Sequence, residues 1–146
     1  MIYLRFENSL APKYMTQNSA AADLRARVAL EIAPFTTGKV PTGVWIERVD
    51  WHAVAKGDIP EIQIRARSGL ALKHSIMLAN GVGTVDADYP DEICVLLYNG
   101  SQVPFKIAAG DRIAQMALTV VQRFPQLDAG GTRIGGFGST NVAGQL

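Results

Sequence analysis

Apolar and polar residues alternate along much of this chain, in runs too short for helices. The clearest is "EIQIRAR" (61–67), where Glu61, Gln63 and Arg65 oppose Ile62, Ile64 and Ala66. A period of two puts one side of a strand in a core and the other in water. Further runs are "MIYLRF" (1–6), "VALEIAPF" (28–35), "GVWIERV" (43–49), "GTVDADY" (83–89), "EICVLLYN" (92–99), "VPFKI" (103–107) and "IAQMALTVV" (113–121). "EICVLLY" is nearly all apolar, which predicts a strand covered on both faces. Asn99-Gly100 between two runs predicts a hairpin, because both residues tolerate positive φ. Pro34, Pro41, Pro60 and Pro104 would break helices and fit strand edges and turns. One stretch, "SGLALKHSIMLA" (68–79), is a helix candidate, with Ser68 as its cap. Many short strands between turns, without an internal repeat, predict an all-β fold: a β-sandwich or small distorted barrel with one short helix.

The chain has 146 residues, the size of one domain, and 48% of them are hydrophobic, enough for a real core. Fourteen basic against thirteen acidic residues leave a formal charge of +1. That balance argues against a nucleic-acid partner or a polybasic membrane patch, so a charged ligand must be met by local clusters. The lone cysteine, Cys94, excludes an internal disulfide or a cysteine zinc site and reads as a small buried hydrophobe. "MIYLRFENSL" lacks the apolar core of a signal peptide, and no apolar run approaches the ~18 residues of a membrane span. The expectation is a cytoplasmic protein. From Ala129 onward the composition changes to "AGGTRIGGFGSTNVAGQL". Glycine loses much backbone entropy on ordering, so 129–146 is expected to be a flexible arm after a 1–128 domain. Arg133 and Phe137 give that arm a cation and an aromatic able to grip a ligand.

Standard nucleotide and metal motifs fail. No stretch reads G-x-x-x-x-G-K-[ST]. "GVGTVD" begins like a dinucleotide fingerprint but ends in Asp86, with no long helix after it. "DADYPDE" begins like a calcium loop, yet Asp91 takes the place of the required glycine and Leu97 that of the twelfth-position Glu. His52 and His74 have no ligand spacing. Ser68 lacks the flanking glycines of a nucleophile elbow. Arg67-Ser68-Gly69 suits anion contact instead: planar donors, a hydroxyl and an approachable backbone N–H.

Read in order, "SAAADLRA" (19–26), "ARSGLALKHSI" (66–76), "NGVGTVDADYPDEICVLLYN" (80–99), "AAGDRIAQMAL" (108–118) and "GGFGST" (135–140) resemble the five motifs of the trimeric dUTPase family. The resemblance implies a jelly roll that assembles as a homotrimer, with active sites shared between subunits. It also implies Mg²⁺-assisted hydrolysis of dUTP to dUMP and pyrophosphate.

It further implies a role for each matching residue. Backbone groups of Gly83, Thr84 and Val85 would pair with the uracil edge, helped by Asn80. Tyr89 would lie against the sugar and leave no room for a 2′-hydroxyl. Asp86 would hold and polarise the attacking water, mostly by positioning, since a carboxylate is a weak base at neutral pH. Arg67, Ser68, Gly69 and Gln115 would meet the phosphates. Asp23 would accept hydrogen bonds from waters on Mg²⁺, which keeps several of them. Asp111 and Arg112 would form a salt bridge within the trimer. In the arm, Phe137 would stack on uracil, Gly138, Ser139 and Thr140 would follow the phosphate chain, and Arg133 would reach the terminal phosphate. Closing the arm would exclude other water.

Three positions depart from the family pattern. Its arginine stands five residues before the arm's Phe, where this chain has Thr132, with Arg133 four before. Its "DYxGE" is "DYPDE" here, and strict alternation points Asp86 and Tyr89 to opposite faces unless a bend near Pro90 intervenes. Cys94 stands where Lys or Met is common and would meet the nucleotide through its backbone. Two other readings share the resemblance: a deoxycytidine-triphosphate deaminase relative, and a catalytically slack nucleotide-binding trimer that regulates a partner protein.

Overall fold

A computed structural model describes residues 1–127, 130–133 and 135–137. In chain order the strands and helix are β1 (Ile2–Phe6), β2 (Ala22–Arg25), β3 (Leu30–Ile32), β4 (Thr37–Pro41), β5 (Val44–Val49), β6 (Asp58–Arg65), α1 (Ser68–His74), β7 (Ile76–Leu78), β8 (Gly83–Val85), β9 (Cys94–Asn99), β10 (Phe105–Ile107) and β11 (Arg112–Gln122). A four-stranded sheet has the order β2-β11-β6-β8 and a three-stranded one the order β4-β9-β7. The pairs β1-β5 and β10-β3 complete the set, and all pairing is antiparallel. The predicted all-β jelly roll with one short helix is therefore present.

Alternation builds the core as expected. In β6, Pro60, Ile62 and Ile64 are buried while Glu61, Gln63 and Arg65 stay half-exposed. Ile62 and Ile64 join Leu24, Ile32, Val40, Val44, Ile76, Ile93, Val95, Leu97 and Ile113 in one apolar cluster. Pro60 is tolerated because β8 covers only Ile62–Ile64, leaving the start of β6 with one neighbour, β11. No described helix is long and apolar enough to cross a membrane.

Three expectations need correction. The helix stops at His74 rather than Ala79. Ser75 takes a left-handed φ of 56° and its N–H closes on Ala71 O, ending the helix. Ile76 and Leu78 then turn inward with the period of a strand, paired to β9. The cap residue is Arg67, not Ser68, and no side chain caps the helix. Second, Asn99-Gly100 makes no hairpin: β9 pairs with β4 and β7, and β10 with β3. Asn99 is instead fully buried. Its amide donates to Ile32 O (3.0 Å) and Val103 O (2.8 Å) and accepts from Ser101 N–H (3.0 Å), so side-chain bonds set the bend. Third, β9 is covered on one face only. Val95, Leu97 and Asn99 are buried, whereas Cys94, Leu96 and Tyr98 are half-exposed.

Candidate functional site

The pocket begins at β8. It is the outer strand of its sheet, so among the described residues one side of its backbone has no strand partner. Gly83 sits close to β6: a Cβ there would lie 3.1 Å from Ile64 Cβ and 3.4 Å from Asn80 Nδ2. Directly after Val85 the chain folds back, with Tyr89 N–H donating to Asp86 O at 3.0 Å. This turn at 86–89, ahead of Pro90, cancels the alternation that would have separated Asp86 from Tyr89.

Tyr89 is buried, and a cavity of about 130 Å³ opens between it, β8 and the half-exposed face of β9. Asn80, Gly83, Thr84, Val85, Tyr89 and Cys94 line it, with Ile64, Leu78 and Leu96 as apolar walls. Burial pushes the Tyr89 phenol above its ordinary value. Burial also pushes the Cys94 thiol up, against the opposing charge of Lys39. A larger hollow of about 540 Å³ lies between Trp51 and Phe124 but carries none of the motif residues.

Arg133 and Phe137 close the cavity. The Phe137 ring stands edge-on to Tyr89 (centroids 6.5 Å apart), with Lys39 Nζ 4.4 Å from its centre on the other contact. Arg133 Nη1 meets Asp86 Oδ2 at 2.5 Å and Asp88 Oδ1 at 3.5 Å, and its guanidinium lies 5.4 Å from the centre of the Tyr89 ring. The hydrogen bond that Arg133 donates to Asp86 holds the guanidinium pKa above its ordinary value. The one-residue shift in spacing therefore still delivers an arginine to this pocket. Gly138, Ser139 and Thr140 lie outside the described residues, as does the expected boundary between residues 128 and 129.

The other sequence-derived residues do not line the pocket. Asp23 is 3% exposed on β2, where Arg112 Nη1 donates to its Oδ2 and Gln115 Nε2 to its Oδ1, both at 3.1 Å. Strand register explains the meeting, since Gln115 pairs with Asp23 on one side and Arg65 on the other. Arg67 Nη1 donates to Arg112 O at 2.6 Å, and Ser68 and Gly69 are exposed at the start of α1. Asp111 and Arg112, expected to form a salt bridge within a trimer, have partners inside the chain. Arg112 pairs with Asp23, and Asp111 Oδ2 accepts from Ala108 N–H at 2.9 Å. So one chain carries two separate groups: a pocket with an acid at its rim, and a cation–amide cluster around Asp23.

No group of three or more His, Cys, Asp or Glu side chains gathers among the described residues. Each Asp23 oxygen accepts one bond and keeps a lone pair, which fits a carboxylate serving the waters of an ion held mainly by phosphates.

Reasoning from sequence missed Lys39, which faces Phe137, and the pairing of Arg27 with Glu92 described below. Lys39 is on β4, whose "TGKVP" gives no alternation signal. Only the register of Lys39 with Leu96 shows that it borders the pocket.

These features define an antiparallel jelly-roll protein with a small acid-rimmed pocket at a sheet edge. The family model described as dUTPase matches residues 7–141, and the chain belongs to that family. A deoxyuridine 5'-triphosphate nucleotidohydrolase of Treponema denticola is 43% identical over 144 residues, covering 94% of each chain. One of Helicobacter pylori (strain P12) is 40% identical over 141 residues, covering 93% of this chain and 92% of its own. Among solved structures, the dUTPase from Streptococcus mutans has the same fold, with a TM-score of 0.67 at 24% identity, covering 86% of this chain and 98% of that one.

Proposed function

We propose that this chain is a dUTP diphosphatase, which cleaves dUTP with water to dUMP and pyrophosphate, limiting uracil in DNA and supplying dUMP. The observation that carries the reading is a pocket lined by an outer strand, a buried tyrosine and Arg133, whose guanidinium holds Asp86, in a chain of this family. The free side of Gly83–Val85 reads uracil as it would read another strand, with Asn80 beside it. Tyr89, packed flat against the sugar, rejects a 2′-hydroxyl by sterics. Asp86 at the pocket's rim holds the attacking water in line with the α-phosphorus, and positioning supplies much of the rate. In the free chain Arg133 neutralises Asp86; with substrate bound, the phosphates compete for that guanidinium.

Mg²⁺, when bound, would supply charge neutralisation and Lewis-acid polarisation at the phosphates. Asp23 would hold it through water. Arg67, Ser68, Gly69 and Gln115 bind the phosphates. Their separation from the pocket supports a homotrimer in which a neighbouring subunit brings this second group to the first. Phe137 closes over the base and, with Gly138, Ser139 and Thr140, excludes further water.

The test uses Mg²⁺ with each deoxynucleoside triphosphate, reading pyrophosphate and ammonia. Pyrophosphate from dUTP alone is expected. Ammonia from dCTP would instead mark a deaminase, and binding without turnover a regulatory trimer. Asp86→Asn should keep dUTP affinity within about tenfold, ~1.4 kcal/mol, and lose nearly all turnover. Normal turnover in that variant removes Asp86 from the mechanism.

A further inference from the structure

The loop between β8 and β9 carries Asp86 and Tyr89, and its far end is anchored by Arg27, a residue outside the five motifs. Arg27, two residues past β2, makes two parallel bonds to Glu92: Nε to Oε1 and Nη2 to Oε2, both 2.9 Å. Glu92 Oε1 also accepts from Gly43 N–H at 2.6 Å. The Glu92 side chain is only 16% exposed. Next to it, Ile93 N–H donates to Val44 O (2.8 Å) and Thr42 Oγ1 donates to Ile93 O (2.6 Å). Arg27 is fixed in turn by its N–H to Pro41 O at 2.8 Å, with Glu7 3.9 Å from its Nε.

Gly43 is required in this network. Its φ is +68°, and a Cβ would sit 2.6 Å from Leu10 Cδ1. At the other end the loop is tied by β8 to β6. Between the anchors, "DADYPD" contains no glycine, and the Tyr89 hydroxyl donates to Glu92 O at 3.4 Å. The conformation of 86–91 is thus set by where its two ends are held.

We propose that Arg27 and Glu92 are positioning residues: their forked ion pair clamps the 86–91 loop so that Tyr89 seals the pocket while Asp86 stands at its rim. The functional part of this inference rests on the dUTP reading above; the mechanical part does not. A guanidinium and a carboxylate match in two-pronged geometry, which an ammonium cannot reproduce. Removing Arg27 leaves the mostly buried Glu92 carboxylate with the Gly43 N–H as its one remaining partner, so residue 92 is held less firmly to the β4–β5 turn. Misplacing a reacting group by about 1 Å can cost on the order of 10²-fold in rate, so the clamp acts on turnover and on sugar discrimination together.

The experiment measures hydrogen exchange of the 86–91 segment and steady-state kinetics on dUTP and UTP, in the full chain, for Arg27→Met, Arg27→Lys and Glu92→Gln. Glu92→Gln keeps an acceptor for Gly43 and serves if Arg27→Met fails to fold. The expected result is exchange in 86–91 faster by about tenfold, with β6 and β11 unchanged. With it come a kcat lower by roughly tenfold, a fall in dUTP-over-UTP preference of about fivefold or more, and only partial recovery in Arg27→Lys. Unchanged exchange in 86–91 overturns the clamp. A lower Tm with unchanged preference between dUTP and UTP also overturns it, because that is what a merely structural pair would give. Wild-type protein that does not turn over dUTP sinks the dUTP reading instead, and loop exchange still decides the clamp.

Discussion

Replacing Asp23 by Ala removes the acceptor of two donors at once, Arg112 Nη1 and Gln115 Nε2, at a position 3% exposed. Hydrogen bonds to a charged group are worth about 1.5–3 kcal/mol each. The full sum does not apply, because the Arg112 side chain is 38% exposed and regains water. We therefore expect a loss of about 3 kcal/mol for Asp23→Ala, toward the low end for a broken buried pair. Asp23→Asn is gentler. Its oxygen can still serve Arg112, and the Gln115 amide can turn its oxygen toward the new donor, so the loss is about 1 kcal/mol. For a chain of this size each kcal/mol lowers Tm by about 2–4 °C. Circular dichroism melts at pH 7 without metal should then show drops of roughly 6–12 °C and 2–4 °C. Activity separates the second role. Asp23→Asn should raise the Mg²⁺ concentration for half-maximal turnover several-fold, because a carboxamide is a weaker acceptor for metal-bound water. A Tm for Asp23→Ala within about 1 °C of wild type would refute the structural accounting. An unchanged Mg²⁺ response in Asp23→Asn would refute the metal-water assignment.

Gly136→Ala tests the docking of the arm: an added Cβ would lie 2.4 Å from Tyr89 Cε2, so ring or arm must shift. We expect the KM for dUTP to rise about fivefold with little change in Tm, and an unchanged KM would show that this contact does not form during catalysis. Alkali should destabilise the protein, because Cys94 and Tyr89 both keep their protons longer when folded. The unfolded chain then binds fewer protons, so stability falls as pH rises through the ordinary values, 9.0 for the thiol and 10.0 for the phenol, toward the raised folded ones. In melts from pH 7 to 11, Cys94→Ser should remove the earlier part of that decline; an identical profile would mean that the thiol contributes nothing.

How much was legible in the sequence depends on what each residue answers to. The strand with one buried face announced itself: β6 falls where alternation placed it, while β5 and β11 lie in runs read as strands although their burial does not alternate. Strands answering to other constraints did not. In β2, Ala22, Asp23 and Leu24 are buried in succession, so period two vanishes. β4 contains Gly38, where any Cβ would meet Ile32 at 2.8 Å, and its residues belong to none of the runs read as strands. β7 continued an apolar stretch that read as helix until Ser75 turned the chain. Asn99-Gly100 suggested a hairpin because turn chemistry is local, whereas Asn99 is committed to carbonyls of residues 32 and 103.

The site divides along the same line. Residues 80–94 are nearly contiguous, so the pocket was legible as one motif once the backbone reversal at 86–89 is allowed. Asp23, Arg67 and Gln115 are far apart in sequence and are gathered by strand register and Arg112, which periodicity cannot reveal. Only the order of the motifs linked that cluster to the pocket. Within one chain, the acid at the pocket rim is already met by Arg133, while the cations and amides of the second cluster are engaged with Asp23 and Arg112. Each half is electrostatically satisfied without the other. A triphosphate, with negative charge to place next to Asp86, is the ligand that would need both halves. It would draw Arg133 off the aspartate and bring the two groups to bear on one molecule. If the chain acts on dUTP as proposed, that requirement would explain why side chains for one reaction can be built as two separate structures in the same polypeptide.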